Sequence, residues 1–197
     1  MPALAALFFL AAPPFWESKP PRQWTDNELS VLLHDSPWAQ MAPPPPRNAE
    51  SPAEQIYIAT AQPVRDAEVE LARRRAIRLH QLGSGLDAEY RDFLRDSGGQ
   101  QIVVAAYAPN LNAMADARES RRMEEESVMK IGRKKYKVTG TFPPTPGDPY
   151  LRLVFPRVLQ ASSKSVEFDL YIPGLSGPYR DVEFDVRRMV YKGRPEF

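Results

Sequence analysis

The stretch Ser165-Val166-Glu167-Phe168-Asp169-Leu170-Tyr171-Ile172, followed by Asp181-Val182-Glu183-Phe184-Asp185-Val186, decides how this chain is read. Both runs alternate apolar and acidic residues with a period of two, the mark of a strand with one buried and one wet face. Each contains Val-Glu-Phe-Asp, and Pro173-Gly174-Leu175-Ser176-Gly177-Pro178 between them supplies turn residues. The spacing predicts a hairpin with Val166, Phe168, Leu170 and Ile172 on one face and Glu167 and Asp169 on the other. Its wet face would gather Glu167, Asp169, Glu183 and Asp185, whose mutual repulsion calls for Lys164, Arg180, Arg187 or Arg188 between them.

Upstream of the hairpin the period stays at two. Strands are expected at Val128 to Ile131, Tyr136 to Phe142 and Tyr150 to Val158, so the C-terminal part reads as antiparallel and β-rich. Before Ser127 the pattern alternates strand and helix. Gln55 to Ala61 and Ile102 to Ala108 read as strands, Asp66 to Leu82 and Leu86 to Asp96 as helices. The two strands look alike and are expected to be neighbours in one sheet, with the helix 66–82 as part of the crossover. In that helix Arg73-Arg74-Arg75 fans around the axis, Glu70 can pair with Arg74, and Val69, Ala72, Ala76 and Leu79 form an apolar stripe. The fold class that follows is α+β: a mixed sheet with two to three helices and an antiparallel β-rich C-terminal part.

The 21 prolines divide the N-terminal third. Pro43 to Pro46 and the aperiodic residues after them predict an extended linker over 43–55. In front of it, Trp24-Thr25-Asp26-Asn27-Glu28-Leu29 opens with a capping box, Thr25 with Glu28. Leu29, Leu32 and Leu33 recur at helical spacing until Ser36-Pro37. All three tryptophans, Trp16, Trp24 and Trp38, fall in this region. Trp24, Leu29, Leu32, Leu33 and Trp38 therefore form an apolar face that docks either on the chain's own domain or on a partner protein by helix-in-groove recognition. The expected organisation is a signal peptide over 1–14, a helical segment over 15–42, the linker over 43–55 and an α+β domain over 56–197.

The signal-peptide expectation rests on Ala3 to Ala12, an uncharged apolar run ended by Pro13-Pro14, too short for the roughly 20 residues of a membrane span. It gives a periplasmic or secreted address; the alternative is a cytoplasmic protein in which the run packs on the domain. The Trp, the capped helix with its Leu-Leu pair, Ser36-Pro37-Trp38-Ala39 and the strand Leu153-Val154-Phe155-Pro156-Arg157 together resemble uncharacterised exported proteins of soil bacteria. That resemblance implies export and carries no activity and no site residue.

Composition narrows the function classes. With 26 basic against 25 acidic residues, no whole-chain field points to nucleic acid. Without cysteine there is no disulfide, thiolate nucleophile or thiolate-bound metal. Only His34 and His80 offer imidazole, Gly83-Ser84-Gly85 lacks the lysine of a phosphate loop, and no cofactor motif is found. The expected function is a non-catalytic binding or interaction protein of the bacterial cell envelope that uses no cofactor. The alternative is a hydrolase or cation-binding protein built on Glu167, Asp169, Glu183 and Asp185.

Overall fold

A computed structural model describes residues 13–78, 87–108 and 110–197. The run Ala3 to Ala12, Leu79 to Leu82, His80 and Gly83-Ser84-Gly85 lie outside the described residues. The chain is α+β, with a β-rich C-terminal part and every strand ladder antiparallel. Its helices are α1 (Phe15–Ser18), α2 (Asp26–His34), α3 (Gln62–Arg78), α4 (Ala88–Asp96) and α5 (Ala117–Glu126). A five-stranded sheet has the order β1 (Ala39–Ala42), β2 (Glu54–Ile58), β3 (Gln101–Tyr107), β7 (Tyr150–Pro156), β6 (Gly140–Phe142). A four-stranded sheet has the order β5 (Lys134–Lys137), β4 (Val128–Ile131), β8 (Ser165–Tyr171), β9 (Tyr179–Asp185). A short ribbon, β10 (Val190–Tyr191) with β11 (Arg194–Pro195), completes the strands described.

The register of the large sheet places Tyr57, Ala105, Arg152 and Phe142 in one row across β2, β3, β7 and β6. That face carries the helices: Phe142 packs against Tyr90 and Phe93 of α4, and Tyr57 bonds Glu68 of α3. The opposite face carries Ile58, Val104 and Leu153 in the neighbouring row, all buried. Phe155 on this face meets Phe168 of the small sheet at 5.5 Å between ring centroids. The layers are thus helices, large sheet, small sheet, which gives β2, β3 and β7 the continuous burial expected of strands covered on both faces.

As expected, β2 and β3 are neighbours, and they run antiparallel, so α3 is not a parallel crossover. Among the described residues two α-helices, α3 and α4, lie between these strands. The N-terminal end of α3 is also earlier than expected, at Gln62. Its first-turn donor is served from far along the chain, where Gln62 N–H donates to the Glu196 carboxylate at 2.8 Å. The expected apolar stripe of α3 is corrected as well: Val69 is 56% exposed, and the inward side chains are Val64, Ala67 and Glu68. The expected Glu70–Arg74 pair forms at 2.7 Å.

The expected strand 136–142 is divided between the two sheets, because the Thr139 N–H donates to the Val154 carbonyl and turns the chain from β5 into β6. Residues 13–42 are continuous with the same core. Helix α2 has its capping box, Thr25 with Glu28, and buries Leu29, Leu32 and Leu33. Strand β1 pairs with β2, and the Trp38 indole N–H donates to the Glu196 carbonyl at 2.7 Å. Within 43–55, Pro46–Asn48 is a 3-10 turn, and the Ser51 hydroxyl bonds the Ser176 carbonyl. The segment expected as a linker is bound to the body of the protein.

Candidate functional site

Alternation along β7 sends Leu151, Leu153 and Phe155 into the space between the sheets and turns Arg152 toward the helices. There Arg152 is only 2% exposed. Its guanidinium donates to Glu68 of α3 at 2.7 Å and to Asp148 at 2.8 Å, and it lies 4.3 Å from the centre of the Tyr90 ring. The Tyr57 hydroxyl donates to the same Glu68 oxygen at 2.8 Å. Burial pushes the Glu68 carboxyl up, against the pull of Arg152. Burial likewise raises the Tyr150 phenol to about 12 and Tyr57 well above its ordinary value, so both remain phenols at neutral pH. The second Glu68 oxygen, Oε2, is buried without a hydrogen-bond partner, and Glu68 lines a cavity of about 50 Å³ with Leu33, Tyr57, Leu71, Arg75 and Tyr150. That volume accommodates a few water molecules and nothing the size of a substrate.

Tyr150 also lines a second space, an open groove of about 460 Å³ at the end of the large sheet. Its walls are His34 from the end of α2, Met41 of β1, Pro52 and Glu54 at the start of β2, Tyr107 at the end of β3 and Tyr150 at the start of β7. These antiparallel strands bring the end of one beside the start of the next, so residues distant in sequence share one rim. The Tyr107 and Tyr150 rings are 5.8 Å apart at 69°, and Tyr57 continues the series at 5.4 Å from Tyr150. The Tyr150 hydroxyl donates to the Gln55 side-chain oxygen at 2.9 Å, and the Gln55 amide donates to the Leu33 carbonyl at 2.8 Å, which fixes the ring.

Among the described residues Glu54 is the one acid that lines the groove, and it is only 5% exposed. Burial raises its carboxyl, opposed by the charge of Arg180. Arg180 itself directs its guanidinium to the carbonyls of Gly177, Tyr179 and Pro52. Among the described residues the Glu54 carboxylate has neither a hydrogen bond nor an ion pair. His34 bonds the Ser30 carbonyl through Nδ1 at 2.8 Å. Among the described residues the polar side chains that line the groove are His34, Glu54, Gln55, Tyr107 and Tyr150.

The residues expected from sequence are placed otherwise. Trp24, Leu29, Leu32, Leu33 and Trp38 are all buried, none more than 3% exposed. Their shared face packs on the chain's own strands, which settles the choice left open above in favour of the domain and leaves these side chains inaccessible to a partner. The hairpin pairs as expected, with Glu167 opposite Glu183 and Phe168 opposite Val182. Three of its four acids are neutralised separately. Lys130 of β4 reaches Asp169 at 2.5 Å and Glu167 at 3.8 Å, while Asp185 caps the turn after β9 and pairs with Arg187 at 3.0 Å. Arg180, expected on the wet face, is buried on the other one. Among the described residues no group of three acidic or histidine side chains is placed to hold a metal ion, and no helix is long and apolar enough to cross a membrane.

Sequence reasoning missed both the Arg152 network and the groove. The signal for the first was an arginine inside Leu151-Arg152-Leu153-Val154-Phe155, where an inward charge demands a buried counter-charge elsewhere. The groove needed strand order, which periodicity does not supply. No protein-family model matches the chain, and comparison with curated proteins and with solved structures finds no significant match.

Proposed function

We propose that this chain is an exported, non-catalytic binding protein of the bacterial cell envelope, and that the groove between β1, β2, β3 and β7 is its binding surface. The observation that carries the reading is the groove itself. About 460 Å³ lies within the roughly 300–1,000 Å³ of small-molecule sites, and its walls combine apolar and aromatic side chains with a few polar groups. Met41 is 45% exposed and Tyr107 is 38% exposed, a cost in apolar hydration that a bound ligand would remove. The address is supported by the apolar run Ala3 to Ala12.

Two measurements test the two halves. Expression of the full gene with its upstream region, followed by cell fractionation and N-terminal sequencing, is expected to give a periplasmic or secreted species beginning near Pro13 to Trp16; an intact Met1 in the cytosol refutes the envelope assignment. A screen of small organic fragments by protein-observed NMR is expected to move Met41, Tyr107 and Tyr150 together. Fragments that collect elsewhere on the surface and leave those three signals unmoved refute the groove.

A further inference from the structure

We propose that the ligand of the groove is an organic ammonium cation, held by Glu54 as counter-charge and by the Tyr107 and Tyr150 rings as walls. The proposal deepens the binding reading given above and rests on it.

The first observation concerns Glu54. The residue is only 5% exposed, and no described donor bonds its carboxylate, whose oxygens keep their contact with solvent on the groove side. The neighbouring Arg180 stabilises the charge from a distance; its two terminal guanidinium nitrogens are engaged with the carbonyls of Gly177, Tyr179 and Pro52, and its Nε is buried without a partner. Glu54 thus presents free lone pairs to the groove it lines.

The second observation concerns the aromatic walls. Two tyrosine rings inclined at 69° and 5.8 Å apart line the groove, and tyrosine rings carry electron-rich faces; Arg152 already lies 5.8 Å from the centre of the Tyr150 ring on the helix side of the sheet. Such faces attract ammonium groups, including fully alkylated ones, without any hydrogen bond. The bond of Tyr150 to Gln55 holds its ring in place before a ligand arrives. Met41, Pro52 and Ala53 complete the groove with apolar surface suited to an alkyl or ring-bearing body.

The same features disfavour other ligands. An inorganic anion would meet the Glu54 charge. A bare metal ion needs several oxygen ligands at about 2.0–2.6 Å, and no such group exists among the described residues. A neutral apolar molecule would leave Glu54 unpaired in a drier site, which raises the cost of its charge.

The test titrates the full chain near about pH 7 with choline, with phenethylammonium and with 3,3-dimethylbutan-1-ol, the uncharged isostere of choline, following tyrosine signals by NMR. Either cation is expected to shift Tyr107 and Tyr150 and to bind about tenfold or more tightly than the alcohol. Glu54→Gln is expected to remove that difference, and Glu54→Asp to restore part of it. Tyr107→Leu, at an exposed position, is expected to weaken both cations with the fold intact. Equal affinity for choline and its isostere, or choline binding unchanged in Glu54→Gln, overturns the proposal. If the alcohol alone moves Tyr107 and Tyr150, the groove remains a binding surface and only the cation is wrong. If no probe moves either ring, the groove fails as a site and the proposal fails with it.

Discussion

At the scale of single residues, Arg152 is the side chain on which most depends. It pairs with two buried carboxylates at once, so its removal leaves Glu68 and Asp148 without their counter-charge. Removing one partner of a buried ion pair costs about 3–5 kcal/mol, whereas removing the charges together costs much less. Arg152→Met is therefore expected to lose about 3–5 kcal/mol in urea unfolding, and Arg152→Met with Glu68→Gln to recover at least about 1 kcal/mol of it. A single substitution costing under about 1 kcal/mol would mean that the network is solvated. Two residues beyond Glu68 on α3, Glu70 accepts hydrogen bonds from Arg73 and Arg74, which hold its carboxyl down at about 2. A depressed acid stabilises the fold above its unfolded value of 4.5, and the contribution is lost as pH falls from there through about 2. With Arg73 largely solvated, about 1–2 kcal/mol is expected to disappear across that window in the native protein. Glu70→Gln should flatten that part of the stability curve, and an unchanged curve assigns the acid sensitivity elsewhere.

At the scale of elements, the sequence displays best what local chemistry decides. The capping box of α2 and the alternation of β8 and β9 are written in adjacent residues, and both appear where expected. The start of α3 and the break between β5 and β6 depend on Glu196 and Val154, partners that no local pattern reveals. The apolar stripe of α3 was misread for a related reason, since the helix turns a carboxylate inward to meet Arg152. Helix α2 separates the two kinds of contribution by experiment. Thr25→Ala removes one capping acceptor and is expected to cost about 1 kcal/mol. Leu32→Ala opens a cavity at a fully buried position and is expected to cost about 2–5 kcal/mol. Comparable losses from the two, measured by denaturant titration, would mean that α2 is held by its own cap rather than by its seat on the sheet.

At the scale of the whole molecule, the prolines that suggested a linker instead mark places where the chain changes direction within one body. Trp24, Leu29 and Trp38 share a single buried cluster with Ile58, Val104 and Phe168, so no seam runs between residues 13–42 and the strands that follow. The indole of Trp38 meets the Glu196 carbonyl, and Arg74 of α3 reaches back to Asp26 at 2.6 Å, which ties the N-terminal segment to the middle and the end of the chain. This arrangement has a consequence that the distribution of tryptophans makes easy to measure. Because Trp16, Trp24 and Trp38 all precede the proline run, indole fluorescence reports the N-terminal segment, while far-ultraviolet circular dichroism is dominated by the helices and sheets after it. A helical segment on a flexible tether would melt apart from the domain. A shared core requires the two probes to give one midpoint in urea with one slope. Deleting residues 15–42 should then do more than shorten the protein, since it strips β1 from the edge of β2 and opens the layer beneath α2. The truncated chain is expected to lose cooperative unfolding and to aggregate through the uncovered strand. Fluorescence and dichroism transitions that separate, or a soluble and cooperatively folding fragment 43–197, would restore the two-part organisation that the proline pattern first suggested.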